Sequence, residues 1–140
     1  KKVRSEGAEN VLTMVGDAYI ILNLAFEQGV LDSVTVNFPD PWPKARHARR
    51  RLYTEEFFRI AARKLKRGGT VYLATDDRPY AEQAARALAA VSELISTHPE
   101  RPWLDSSPYP VQTRYETKWI REGRPLHYFV FRRKEDPCPT

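Results

Sequence analysis

The chain has 140 residues and a formal net charge of +5, with 41% hydrophobic and 29% charged residues. That length and balance suit one globular domain able to bury a core, and they exclude wholesale disorder. No apolar run reaches the roughly 18 residues of a membrane span. The start, Lys1-Lys2-Val3-Arg4, has no signal-peptide pattern, and the single cysteine, Cys138, excludes an internal disulfide or a Cys-rich zinc cage. A cytoplasmic protein without membrane contact is therefore expected, and no metal ligands. The first residue is not Met, which suggests a piece of a longer chain.

Taken in order, Val11 to Val15 predicts a short buried strand, ended at Gly16-Asp17. Ala18 to Gln28 carries Ile21, Leu24 and Ala25 at helical spacing and stops at Gly29. Ser33 to Phe38 alternates as a strand does, and a proline-rich loop follows. Thr54 is a natural N-cap, with Glu55 and Glu56 where the helix dipole favours anions. Phe57, Phe58, Ile60, Ala61 and Leu65 then give a helix closed by basic residues and Gly68-Gly69. Thr70 to Thr75 predicts a strand. Asp76, Asp77 and Pro79 open an Ala-rich helix over 81–94. Ser96 to Gln112, with four prolines, reads as a long irregular loop; Tyr115 to Glu122 as a short helix; and Leu126 to Arg132 as an edge strand.

This alternation predicts an α/β fold, a parallel sheet covered on both faces. Ligands of such sheets sit outside the C-terminal strand ends. Asp17, Asp40 and Asp76 each follow a predicted strand. Asp17 and Asp76, each taken alone, are equally well read as helix N-caps; three acids on one rim point to a polar site.

The charge is concentrated. From Lys44 to Arg67 the net is +8, and the rest of the chain sums to −3. Within a helical stretch such as Arg59 to Arg67, cations are ordinary solvated surface. Lys44 to Arg51 is different, because Pro39, Pro41 and Pro43 make it a stiffened loop, a better candidate for phosphate contact. Asp40, held between two prolines, has little backbone freedom. Trp42 adds a flat face that either stacks on a base or fills the core, and Lys44 adds a cation. A rigid acid beside an aromatic ring and cations suits a nucleobase.

Asn37-Phe38-Pro39-Asp40-Pro41-Trp42-Pro43-Lys44, followed by Arg46-His47 and Arg49-Arg50-Arg51-Leu52, resembles the bacterial tRNA (guanine-N7)-methyltransferases. Gly16-Asp17-Ala18, Ala74-Thr75-Asp76 with Tyr80-Ala81-Glu82, Thr113-Arg114-Tyr115-Glu116 and the run from Gly123 to Arg133 match in the same order, so the likeness covers about Asn10 to Lys134. It implies a Rossmann-like class I methyltransferase sheet, of strand order 3-2-1-4-5-7-6, that moves a methyl group from S-adenosylmethionine to N7 of a guanosine in the tRNA variable loop. It implies Asp40 as the catalytic residue, with Asp17 and Asp40 lining the cofactor. Lys44, Asp76, Thr113, Arg114, Tyr115 and Glu116 would contact substrate, and Arg46, Arg49, Arg50 and Arg51 tRNA phosphates. Guanine N7 carries an in-plane lone pair and no proton, so placement matters more than a strong base. A carboxylate among Asp40, Asp76 and Glu116 would read the N–H donors of the Watson–Crick edge.

The six glycines show no G-x-G spacing, and the first two strands of the family's sheet have no counterpart. The expectation is therefore a truncated sheet, the C-terminal part (strands 3 onward) of a single methyltransferase domain. Such a sheet leaves Ser33 to Phe38 as an exposed apolar edge, open to a second copy or to chain swapping. A non-catalytic tRNA-binding module using the same basic loop is the alternative. A nicotinamide-dependent enzyme is disfavoured by the absence of a dinucleotide fingerprint.

Overall fold

The structure is a computed structural model and describes residues 7–135. Helix α1 (Ala18–Leu24) leads to strand β1 (Leu31–Asn37), and a 3-10 turn (Ala45–Arg50) to helix α2 (Glu55–Lys64). Strand β2 (Leu65–Thr75), helix α3 (Arg78–Ala89) and strand β3 (Leu94–Ser96) come next, then helix α4 (Arg114–Arg121) and strand β4 (His127–Arg133). The four strands form one sheet in the order β1-β2-β4-β3. β1 and β2 run parallel, with Val34 opposite Val71 and Asn37 opposite Ala74. β4 is antiparallel to both β2 and β3.

This order equals the 4-5-7-6 half of the sheet that the resemblance implies. The sheet is mixed, however, not the parallel one the alternation suggests. Leu126 to Arg132 is not an edge either: β4 has β2 on one side and β3 on the other. A three-residue strand such as β3 carries too little periodicity to announce itself within a helix-to-loop reading. The predicted Val11 to Val15 strand does not form; Val11, Leu12, Met14 and Val15 are all exposed, Leu12 at 87%. Among the described residues β1 pairs with β2 alone, and the 11–15 segment takes no place in the sheet.

Local chemistry sets the boundaries. The Thr54 hydroxyl accepts from Phe57 N–H at 3.2 Å and caps α2, as expected. Buried Lys64 donates Nζ–H to the carbonyls of Asn23 (2.8 Å) and Phe26 (2.5 Å). That places a cation at the end of α1, which stops at Leu24 rather than running to Gln28. The helix α2 ends before Gly68-Gly69, because β2 begins at Leu65 and takes both glycines into a bulge: Leu31 faces Leu65, but Ser33 already faces Thr70. Gly68 has φ +73, and a Cβ on Gly69 would meet the Lys66 carbonyl oxygen at 2.8 Å. Helix α3 starts at Arg78 and ends at Ala89, short of Leu94.

Phe57, Phe58 and Ile60 of α2 and Tyr80, Ala84 and Leu88 of α3 pack with Val71, Leu73 and Phe129 into the main core on one sheet face. A smaller cluster of Ala74, Leu126 and Tyr128, with Phe38, Leu104 and Trp119 against it, covers the strand ends on the other face. No helix among the described residues is long and apolar enough to cross a membrane.

Candidate active site at the strand ends

The chain leaves β1 through a strained turn. Phe38 N–H donates to the Ala74 carbonyl at 2.8 Å, extending the ladder by one bond. Phe38 itself has φ 51 and Trp42 has φ 45, positive values that non-glycine residues hold only when their surroundings fix them. Two such residues bracket Asp40. Its carboxylate is exposed, and its charge helps to raise the Tyr80 phenol, whose shift comes first from burial.

Beneath the loop, Tyr53 and Tyr80 stack at 4.6 Å. The Tyr53 hydroxyl lies 2.8 Å from the Ala74 carbonyl oxygen and 3.1 Å from that of Val36, tying together the last turns of β1 and β2. The Tyr80 hydroxyl accepts from Leu52 and Tyr53 N–H, each at 2.9 Å. Burial pushes the Tyr53 phenol well above its usual range.

At the end of β2, Asp77 rather than Asp76 caps α3, accepting from Tyr80 N–H at 2.8 Å. Asp76 is left to other partners. Arg124 Nη1–H donates to its Oδ2 at 2.6 Å, and the Tyr115 hydroxyl stands 3.5 Å from the same oxygen. The Tyr115 ring is 4.7 Å from Phe38 and 5.4 Å from Trp119. Asp76, Tyr115 and the entry to the Asp40 loop thus form one continuous wall.

Thr113 and Glu116 have a structural task. They form a capping box at the start of α4, with Thr113 N–H donating to Glu116 Oε2 at 2.6 Å and Glu116 N–H donating to Thr113 Oγ1 at 3.1 Å. Glu116 is 1% exposed, and its Oε1 accepts from the Tyr128 hydroxyl at 3.0 Å, so its carboxylate lies under the wall rather than on it. Arg114 stays exposed.

Asp17 caps α1, accepting from Ile20 N–H at 3.1 Å, the ordinary role its position allowed. It lines an open depression of about 610 Å3 together with Arg49, Arg50 and Arg51. The arginines are not alike. Arg50 lies 4.8 Å over Trp42, whose ring also takes the edge of His47 at 5.6 Å. Arg51 is half-buried and donates to Trp42 and Pro43 carbonyls and to Gln83. Lys44, Arg46 and Arg49 are exposed.

Of the expected site residues, the fold unites Asp76 with Tyr115 and Asp17 with Arg49 to Arg51, and it places Asp40 within electrostatic reach of Tyr80. It adds Phe38, Gln83, Trp119 and Arg124. Phe38 and Arg124 lie within segments that carry the resemblance, but Gln83 and Trp119 had no signal, because a residue that acts by contacting others leaves no local pattern. Exposed carboxylates at Asp17 and Asp40 suit the positive sulfonium and the ribose hydroxyls of S-adenosylmethionine. No Gly-rich turn in the sequence completes a cradle around them.

The chain belongs to a methyltransferase family: the model of Methyltransf_4, described as "Putative methyltransferase", matches residues 1–129. Among curated relatives, the chain is 40% identical over 134 residues to a tRNA (guanine-N(7)-)-methyltransferase of Paracoccus denitrificans, covering 95% of this chain and 55% of the relative. It is 38% identical over 127 residues to the protein so named in Streptomyces avermitilis, covering 91% and 44%. The figure for the Thermus thermophilus protein is 36% over 143 residues, covering 99% and 43%. The chain spans about half the length of the curated relatives it matches. A solved geranyl diphosphate methyltransferase is similar at TM-score 0.46 and 15% identity, over 95% of this chain and 56% of that one, too slight a likeness to carry an argument.

Proposed function

We propose that this chain is the C-terminal part of a single-domain tRNA (guanine-N7)-methyltransferase that uses S-adenosylmethionine. The observation that carries the reading is the strained Pro-Asp-Pro-Trp loop. It presents an exposed Asp40 at the end of β1, next to the wall made by Phe38, Tyr115 and Asp76. The family and the names of the relatives support it.

S-Adenosylmethionine supplies the electrophilic methyl group. The chain's own residues have to hold guanine so that its N7 lone pair points at that methyl, and orientation alone supplies roughly 7–11 kcal/mol. Asp40 has the exposure and rigidity to receive guanine N–H donors or to face the sulfonium. Asp76, with Tyr115 and Arg124 beside it, forms the second polar edge, and the exposed Arg114 and Lys44 are cations open to the substrate. Thr113 and Glu116 serve by setting the start of α4. Arg49 and Arg50 at the depression, and the exposed Arg46 on the same 3-10 turn, offer cations to the RNA backbone. The compartment expected for a tRNA enzyme is the cytoplasm. The open edge of β1 is where a further strand, or a second copy, would pair.

The test is methyl transfer to unmodified tRNA, by this chain and by an N-terminally extended form. Asp40→Ala is expected to nearly abolish transfer while leaving the unfolding midpoint and RNA affinity close to those of the parent. Parental turnover from Asp40→Ala overturns the reading.

A further inference from the structure

We infer that Arg51 is a positioning residue, which with Gln83 clamps the Pro-Asp-Pro-Trp-Pro loop, rather than a ligand for RNA phosphate. The kinetic consequence rests on the proposed function; the clamp itself does not.

Arg51 Nε–H donates to the Trp42 carbonyl at 3.0 Å and Nη2–H to the Pro43 carbonyl at 3.3 Å. These two donors form the side edge with which a guanidinium grips a phosphate in parallel, and both are turned onto the loop. Nη1–H donates to Gln83 Oε1 at 2.8 Å, so the other paired edge is committed in part as well. Gln83 is fixed in turn, its Nε2–H donating to the Tyr53 carbonyl at 2.9 Å. The clamp therefore runs from the loop to α3 and on to the Tyr53 that ties β1 to β2.

The carbonyl held most directly belongs to Trp42, one of the two non-glycine residues with positive φ. Such a backbone state persists only where neighbours fix it. Trp42 lies two residues from Asp40, across Pro41, so releasing its carbonyl frees the acid as well. A lysine keeps the charge but has a single ammonium in place of a planar fork, and cannot reach three acceptors in one plane. Arg49 is a natural control: it is exposed, borders the same depression and makes none of these contacts.

The experiment uses the full chain labelled with 5-fluorotryptophan, its Trp42 resonance assigned by Trp42→Phe. Fluorine NMR, tRNA binding across a salt series and methyl-transfer kinetics are then measured for Arg51→Lys, Gln83→Ala and Arg49→Ala. Arg51→Lys is expected to move the Trp42 resonance, leave the Trp103 and Trp119 resonances in place, keep the parental salt slope, and lower kcat roughly ten- to a hundredfold at unchanged KM. Gln83→Ala is expected to move the same resonance, and it carries the test if Arg51→Lys fails to fold. Arg49→Ala is expected to leave Trp42 unmoved and to make the salt slope shallower by about 0.7–0.9. An unmoved Trp42 resonance in Arg51→Lys or Gln83→Ala overturns the clamp, as does Arg51→Ala, measured alongside, losing the same slope as Arg49→Ala. If the parent transfers no methyl group, the functional reading fails while the resonance and the slope still decide the clamp.

Discussion

Arg124 grips Asp76 at 2.6 Å while its guanidinium lies 3.4 Å above the ring of Trp119. Arg124, 48 residues beyond Asp76 in the chain, thus links the end of β2 to α4, and the stacking fixes the plane from which it presents its N–H to the acid. With Asp76 17% and Arg124 43% exposed, solvent screens the pair, and its share of stability is about 1 kcal/mol or less. Its role is orientation. Arg124→Ala should leave the unfolding midpoint within a few degrees and lower kcat/KM for methyl transfer by about tenfold, roughly 1.4 kcal/mol. Arg124→Lys should recover only part, because an ammonium does not stack on the indole as a guanidinium does. Equal activity in all three proteins removes Asp76 from the site.

The Tyr53 hydroxyl is a buried link between the two parallel strands. Tyr53→Phe keeps the ring, its stacking on Tyr80 and the core volume, and deletes only the bonds to the Val36 and Ala74 carbonyls. A loss of about 1–2 kcal/mol is expected, read as a lower urea midpoint at unchanged m-value. A midpoint equal to that of the parent shows that the link contributes nothing.

Alkaline unfolding follows from four tyrosines. Burial pushes the Tyr109 phenol up to about 12, with the Tyr72 and Glu116 charges adding to it. Tyr53, Tyr80 and Tyr128 are raised too, first by burial in each case. A phenol with a folded value above its unfolded value of 10.0 keeps its proton longer in the native state. Native stability is therefore whole below pH 10 and falls as the pH rises from 10 towards 12. Denaturant titrations at stepped pH should show the midpoint dropping in that window, with tyrosinate absorbance rising at unfolding rather than before it. A flat profile contradicts the burial.

Helix α4 offers a second set of cations. Arg114, Lys118 and Arg121 recur at helical spacing and border a depression of about 290 Å3 with Gln112, Thr117 and Glu122. The helix also carries Tyr115 of the proposed site, so RNA reaching Asp76 would run along it. Replacing all three cations by Ala should make the log–log salt slope of tRNA binding shallower by about 2 without altering the Trp42 environment. An unchanged slope confines the RNA to the rim of Arg46, Arg49 and Arg50.

Much of this was legible in the chain itself, for a common reason: helix caps, breakers and alternation act over a few residues. Thr54, the acids of the first turn of α2 and Pro79 all stand where local chemistry places them, whereas the capping role of Thr113 and Glu116 emerged only in the structure. The Pro-Asp-Pro-Trp loop announced its stiffness through its prolines, and the charge centred on Lys44 to Arg67 was a matter of counting. Tertiary structure decided the rest. Whether Leu126 to Arg132 is an edge, and whether Val11 to Val15 is a strand, depend on which backbone stands alongside, and hydrogen-bond partners far apart in sequence leave no local trace. The basic stretch shows the difference most clearly. The count of +8 is set by sequence, but Lys64 is spent on the end of α1, Arg51 on the loop and Arg59 on Glu55. Only folding, by bringing carbonyls and carboxylates up to particular cations, selects which of them remain for a partner.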